Sequence, residues 1–552
     1  MENIWQIVDA IVDDYRTFVQ HEPFPELKWE ITNESQTSEG YEAACLPRTI
    51  HIKAPNPLSL AYAISRLKIA AKSKHYNDFL GKCTPRFKLR PLWLECEVYF
   101  KVTDHFGVML PKSCASLLED PSNLKHLSMR MISLGYNALI FGAREIFAIQ
   151  NEDSLPGSSL KMLFDLIRSV GLKIIVKAKF TKNLQTNIQG EFENFLKSLP
   201  PFDFLFYEAE SLLSSLCKPH EQREMTSLDQ ALYEVEFLEN LLSDQAGLLY
   251  FVSAHDLENA KQQSVWIPLL CDSVGNQTII AFPAVAGDVL GDYLPSHPLW
   301  NELRQSPEAS ATALMPILNA GGIKQGEGLW PVLTYDLIDR YSPRCYGHQF
   351  AGIISLAKQL PKQGSLLDCS LWISAQAGWC EIPSSLLVET WFQAFKCDLN
   401  YIEMGDFWKK NREISLELSR MNSLISQENK NSVSHDECRF FAESILARLN
   451  YLEQSLKKNH KKSLAYPSIL ADQCTYFIRD GRRIVLLFLQ SFNAPLGNIP
   501  KEDGQASFWT HLQEGTGQGL KNGLKIHFLD KPNSGAQGST MHSIYQENRT
   551  FL

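Results

Sequence analysis

No run of this chain is apolar for long enough to span a bilayer. The longest, around 279–286 and 484–489, fall far short of the roughly 18 residues required, so no membrane partner is expected. Cationic excess is missing too: 53 Lys and Arg stand against 62 Asp and Glu, a net charge of −9, which argues against nucleic acid as a partner. The short basic runs, Lys409-Lys410-Asn411-Arg412 and Lys457-Lys458-Asn459-His460-Lys461-Lys462, read as solvated helix faces. The twelve Cys are scattered singly with no CxxC pair, and Cys96 and Cys271 sit inside apolar segments. That usage predicts reduced, buried thiols in a cytoplasmic protein, and no metal. Met1-Glu2-Asn3 followed by Asp9, Asp13 and Asp14 gives no basic region ahead of an apolar core, so no signal peptide is expected. A Gly-rich phosphate loop and a GxSxG nucleophile elbow are both absent, which sets aside a dinucleotide fold and a Ser/His/Asp hydrolase and leaves no cofactor to expect.

What is present is an ordinary globular composition, 44% hydrophobic, 11% aromatic and 21% charged, long enough for roughly two to four domains. Ile4, Ile7, Val8, Ile11, Val12 and Tyr15 recur at helical spacing over 3–20. Residues 49–53 alternate like a half-buried strand, and 57–67 read as a helix with Pro57 in its first turn. These elements predict a small α/β domain over 1–85.

From residue 86 short apolar strands alternate with helices. Strands are predicted at 92–99, 138–142, 172–180, 204–210, 248–253, 278–283 and 314–318, with helices at 124–134 and 160–170. An eighth strand could be either 350–356 or 371–375. The expected fold class is therefore α/β, a (β/α)8 TIM barrel over 86–405, preceded by the small α/β domain and followed by a mainly helical C-terminal region over 406–552. Within that region 437–456 is helical in pattern, 483–489 fits a strand or a helix, and the Gly-, Asn-, Ser- and Gln-rich end predicts a flexible tail. The helical region is the candidate surface for a homo-oligomer.

Barrels place chemistry at the C-terminal ends of their strands. Carboxylates recur there: Glu95 and Glu97 on the first strand, Glu145 after the second, Glu208 and Glu210 on the fourth, Asp288 and Asp292 after the sixth. Trp93, Tyr99, Tyr207 and Tyr293 lie near them, with Trp330 and Trp379 later. Opposed acids among aromatic rings suit glycoside cleavage, in which one protonated carboxyl serves the leaving oxygen and an ionised one activates water, while rings stack on the sugar. Any one of these acids could equally form a salt bridge or cap a helix. Arg344 and His348 fall in a turn-like stretch from which a cation could bind a uronic carboxylate. His255-Asp256 could orient a water, although Asp256 also suits an N-cap.

The order of segments resembles glycoside hydrolase family 67, the α-glucuronidases, and more loosely other TIM-barrel glycosidases with the same two-domain start, from about residue 49 to 400. Thr49-Ile50-His51-Ile52 and Phe87-Lys88-Leu89-Arg90-Pro91-Leu92-Trp93 are similar to that family's approach to its barrel. Asp203-Phe204-Leu205-Phe206-Tyr207-Glu208-Ala209-Glu210 looks like its fourth-strand motif, which implies Glu210 as general acid. Thr278-Ile279-Ile280-Ala281-Phe282-Pro283, running on to Asp288 and followed by His297-Pro298-Leu299-Trp300, resembles the sixth-strand segment and implies Asp288 in activating water. The stretch from Leu371-Trp372 to Trp379 and Trp391-Phe392 is similar to the Trp-rich helix that closes such barrels.

The chain also departs from the family. The seventh strand reads Leu314-Met315-Pro316-Ile317-Leu318 where the family carries a second base-side Glu; the first-strand Trp-Asp-Asn motif is missing, with Glu95 and Glu97 as partial stand-ins, and Ser211 replaces the Gly after the acid. The resemblance implies inverting hydrolysis of a carbohydrate, and placement near the barrel mouth makes Trp93, Glu95, Glu97, Glu208, Arg344 and His348 the candidate binding residues. The departures leave open a catalytically inactive barrel retained to bind carbohydrate or protein.

Overall fold

The computed structural model describes residues 2–19, 26–32, 39–47, 49–71, 73, 75–94, 121–141, 157–178, 193–194, 196–197, 199–209, 226–243, 245–253, 257–284, 296–305, 313–320, 323–325, 328–330, 335–347, 349–357, 366–379, 382–394, 435–460, 482 and 485. The chain opens with helix α1 (Glu2–Val19), whose Ile4, Ile7, Val8, Ile11, Val12 and Tyr15 are buried at the spacing their sequence predicts. Strands β1 (Glu26–Ile31), β2 (Tyr41–Leu46), β3 (Thr49–Ala54) and β4 (Gly81–Cys83) form a sheet in the order β1-β3-β2-β4, with β1 parallel to β3 and the other pairs antiparallel. Helix α2 (Pro57–Ala71) begins where the Asn56 side chain accepts a hydrogen bond from the Ser59 amide at 2.8 Å. Every residue of α2 from Ser59 to Ala71 is buried, because the helix packs on the sheet on one side and on barrel helices on the other.

Eight parallel strands then close a barrel: β5 (Pro91–Leu94), β6 (Ala138–Phe141), β7 (Lys173–Ala178), β8 (Phe204–Glu208), β9 (Gly247–Phe251), β10 (Thr278–Pro283), β11 (Leu314–Asn319) and β14 (Ile354–Ala357), with β14 pairing back to β5. A two-stranded ribbon, β12 (Ile323–Gln325) with β13 (Gly328–Trp330), stands between β11 and β14 in the chain. Helices α3 (Pro121–Leu134), α4 (Gly157–Ser169), α5 (Ser227–Leu242), α6 (Leu257–Ser273), α7 (Leu299–Gln305) and α8 (Tyr335–Gly347) connect the strands. The expected barrel is thus the observed one, and the open choice for the eighth strand resolves to 354–357. Residues 371–375 lie instead in helix α9 (Leu366–Ala377), followed by α10 (Ser384–Ala394). A late helix, α11 (His435–His460), buries Ala442, Ile445, Leu449 and Leu452 and leaves Phe440 exposed.

Side chains alternate across each barrel strand. Trp93, Ile140, Ile175, Phe206, Leu249 and Met315 point inward, whereas Leu92, Ile174, Leu205, Leu248 and Ile280 pack outward against the helices. Closure depends on Gly352, where a β-carbon would lie 2.0 Å from the Leu89 carbonyl oxygen; the two residues form a parallel bridge.

The base of the barrel is fastened to the N-terminal unit through two buried guanidinium groups. Arg66 of α2 donates to Gln376 Oε1 at 2.6 Å and to the Tyr41 hydroxyl at 2.7 Å, and lies over the Trp379 ring at 5.3 Å. Arg90 donates to Glu39 at 2.5 Å, to the Gly135 carbonyl at 3.0 Å and to the Phe87 carbonyl at 2.8 Å, and also lies over Trp379 at 4.6 Å. The Trp379 indole donates to the same Gly135 carbonyl at 3.1 Å. Charge this deep is tolerated because these donors meet oxygen acceptors, with the Cys83 sulfur also accepting from Arg66, and both guanidinium groups lie over ring faces. The thiols are less uniformly buried than their usage predicts: Cys345 and Cys369 are, Cys83 and Cys271 are half-buried, and Cys45 is exposed.

Candidate functional site at the C-terminal end of the barrel

Inside the barrel Trp93, Phe206 and Phe251 pack as an aromatic cluster, with ring centroids 5.1 Å (Trp93–Phe206), 6.1 Å (Trp93–Phe251) and 5.5 Å (Phe206–Phe251) apart. Two ionisable side chains face the same interior. Lys177 lies two residues beyond the inward Ile175 on β7, and its ammonium sits 4.1 Å from the Trp93 ring centre and 5.9 Å from that of Phe206. Glu208 is two residues beyond the inward Phe206 on β8 and stands opposite Phe251 in register. The lysine stem thus covers aromatic surface and carries its charge to the partly exposed side, while Glu208 on the adjacent strand is buried.

The rim beyond β10 is braced by His297. Its backbone N–H donates to the Ala284 carbonyl at 3.1 Å, and the Trp300 indole donates to the same oxygen at 2.9 Å. The Leu299 amide donates to His297 Nδ1 at 3.2 Å, so Nε2 carries the proton and donates to Gln263 Oε1, also at 3.2 Å. Burial lowers the pKa of this imidazole to about 4, keeping it neutral. The stems on either side of 285–295 are therefore pinned together at the end of the sixth barrel strand.

The residues singled out from the sequence separate into three groups. Trp93 and Glu208 come together at the inner face, although Trp93, 2% exposed, is a buried floor and not an open platform. Arg344 is not in a turn: it occupies the last turn of α8, a helix that runs from the C-terminal end of β11 back to the base where β14 begins. A cation there complements the helix dipole at the end of the barrel away from the aromatic floor. Tyr207 and Trp379 are likewise off the mouth: Tyr207 faces outward, 6.2 Å from Tyr250, and Trp379 lies in the junction at the base. Glu95, Glu97, Glu210, Asp288 and His348 lie outside the described residues, as do Tyr99, Glu145, His255, Asp256, Asp292 and Tyr293. The last described residues before Glu210 and Asp288, namely Ala209 and Ala284, both stand at the C-terminal end of the barrel. Lys177 is not among the residues the sequence singles out; its signal is the inward parity it shares with Ile175 on β7. Among the described residues no three His, Cys, Asp or Glu side chains converge as a metal site would require, and no helix is long and apolar enough to cross a membrane.

No family model and no curated protein matches the chain. Among solved structures it is similar to a GH138 enzyme targeting pectin rhamnogalacturonan II, with a TM-score of 0.52 and 9% identity over 93% of this chain and 72% of that one. At that identity the likeness is one of fold. GH20 β-N-acetylhexosaminidase from Streptomyces coelicolor aligns over 70% of this chain and 89% of its own, at a TM-score of 0.42 and 10% identity. A β-N-acetylhexosaminidase from Bacteroides fragilis aligns over 66% and 78%, at 0.36 and 10%. These last two scores are too low to bear on the fold.

Proposed function

We propose that this protein is a barrel of glycosidase type whose substrate sits over the aromatic floor and whose glycosidic bond is cleaved with inversion. The observation that carries the reading is the placement of Lys177 and Glu208 on the inner face of adjacent strands, above Trp93 and Phe206. Glu210 is the proposed general acid and Asp288 the group that activates water, roles that rest on the resemblance to glycoside hydrolase family 67. In an inverting pair the two carboxyls stand roughly 6.5–9.5 Å apart so that a water fits between substrate and base. Lys177 takes the part of the uronate-binding cation that Arg344, at the base, does not fill. Turnover of a panel of neutral and uronic oligosaccharides by wild type and by Glu210→Gln tests this. Loss of turnover in the variant supports the acid role, and equal turnover removes Glu210 from the mechanism.

A second reading is a barrel that binds carbohydrate or protein without cleaving it. Strand β11 favours it, because Leu314–Asn319 offers no carboxylate at the place where the resembled family has its second base-side Glu. Binding of the same panel without turnover identifies this case.

A further inference from the structure

Strand β1 lies at the edge of the N-terminal sheet: among the described residues it pairs with β3 alone, and none of its six residues is buried. Its inner-face residue Trp29 is 38% exposed between the partly buried Leu27 and Ile31. Natural proteins seldom leave an edge of this length open next to apolar side chains.

The opposite face carries an ordered row of charge. Register places Glu30 beside Lys53, Lys53 beside Glu42 and Glu42 beside Lys82, so acid and base alternate across all four strands and the row ends on Glu30 at the open edge. The next strand in such a row should supply a cation. The geometry points to a second copy of this chain as that strand, joined to β1 by an antiparallel pairing centred on Trp29.

In that register Trp29 meets Trp29 of the other copy, Lys28 lies opposite Glu30 twice, and Leu27 lies opposite Ile31 twice, all permitted by the period-two alternation of a strand. Glu30 at the end of each charge row then gains a cation, Lys28 of the other copy, and two four-stranded sheets become one of eight strands. Moving the centre by one residue to Lys28 would set Lys28 against Lys28 and Glu26 against Glu30, like charges directly opposed. Side-chain chemistry thus favours the centre at Trp29, which gives Glu30 its cation, over the centre at Lys28, independently of the catalytic reading. A single strand pair covers less than the roughly 800 Å² per partner of a standard interface, so the dimer is a weak one that forms at micromolar concentration.

The test is sedimentation velocity of the full chain over about 1–100 µM, a range suited to a small interface. Wild type should pass from monomer to dimer. Lys28→Glu and Glu30→Lys should each weaken the dimer by tenfold or more, because each sets like charges opposite at both symmetric positions. The double swap should restore it. Thermal melts of all three variants should stay close to wild type, since these side chains are exposed. A wild-type chain that is monomeric throughout overturns the proposal. So does a dimer indifferent to the reversals, which would place the interface elsewhere, for instance in 406–552.

Discussion

The Lys177 ammonium stands 4.1 Å from the centre of the Trp93 ring, the two side chains reaching the barrel interior from different strands. Neither residue alone defines a site. Together they put a charge on a low-dielectric aromatic floor, where an anionic substituent gains more from pairing than it would in water. The carboxyl of Glu208 on the neighbouring strand adds a hydrogen-bonding group on the same side.

Lys177→Met should therefore weaken binding of a glucuronic-acid oligosaccharide by roughly tenfold or more, about 1.4 kcal/mol, and leave a neutral analogue unaffected. Calorimetric titration of both ligands measures the difference. Equal losses for the two would mean that Lys177 acts through packing on Trp93.

Glu210→Gln and Asp288→Asn should each lower kcat by about 10²–10⁴-fold while the thermal melt stays in place, as expected for groups that transfer protons in the transition state. A pH–rate profile that loses its acid limb in one variant and its alkaline limb in the other would assign base and acid separately.

His297 makes stability depend on pH. The folded chain keeps this imidazole neutral down to about pH 4, whereas an unfolded one protonates it near 6.5, so between those values the unfolded state binds the extra proton. The contribution is fully present above about pH 6.5 and is lost on acidification, by about 3 kcal/mol once pH 4 is reached. Denaturant unfolding across that range should show the slope in wild type and a flatter one in His297→Gln.

Arg90→Met should destabilise the chain by about 3–5 kcal/mol, because it leaves Glu39 without its cation and the Gly135 and Phe87 carbonyls without a donor. Gly352→Ala should be at least as damaging, since its β-carbon would meet backbone at 2.0 Å where the barrel closes. Chemical denaturation of both variants checks the values, and wild-type stability in either would contradict the packing described.

Much of the fold was legible because barrel strands bounded by turns differ in period from the helices between them. Strand β10 begins and ends where its sequence says, at Thr278 and Pro283. The confusion over 371–375 has a physical cause: α9 is wedged among α8, α10 and α3, so Cys369 to Ala377 are all buried and no polar face marks the helical period. Trp379 looked like a mouth residue because its partners Arg66 and Arg90 are 313 and 289 positions away in the chain. Arg344 read as a turn because Pro343, Gly347 and their polar neighbours mask the last turn of α8. Lys177 was hidden because a lysine in a strand is ordinarily solvent-facing, and its inward direction follows from register with β8.

The most direct measurement of the central claim is proton NMR of an aldouronic oligosaccharide incubated with the wild-type chain, read at the anomeric resonances while hydrolysis proceeds. The product should be released first in the inverted configuration, and Glu210→Gln should release none. A product of retained configuration would contradict inversion by Glu210 and Asp288, and neither binding nor turnover of any sugar would contradict a carbohydrate site at the barrel mouth.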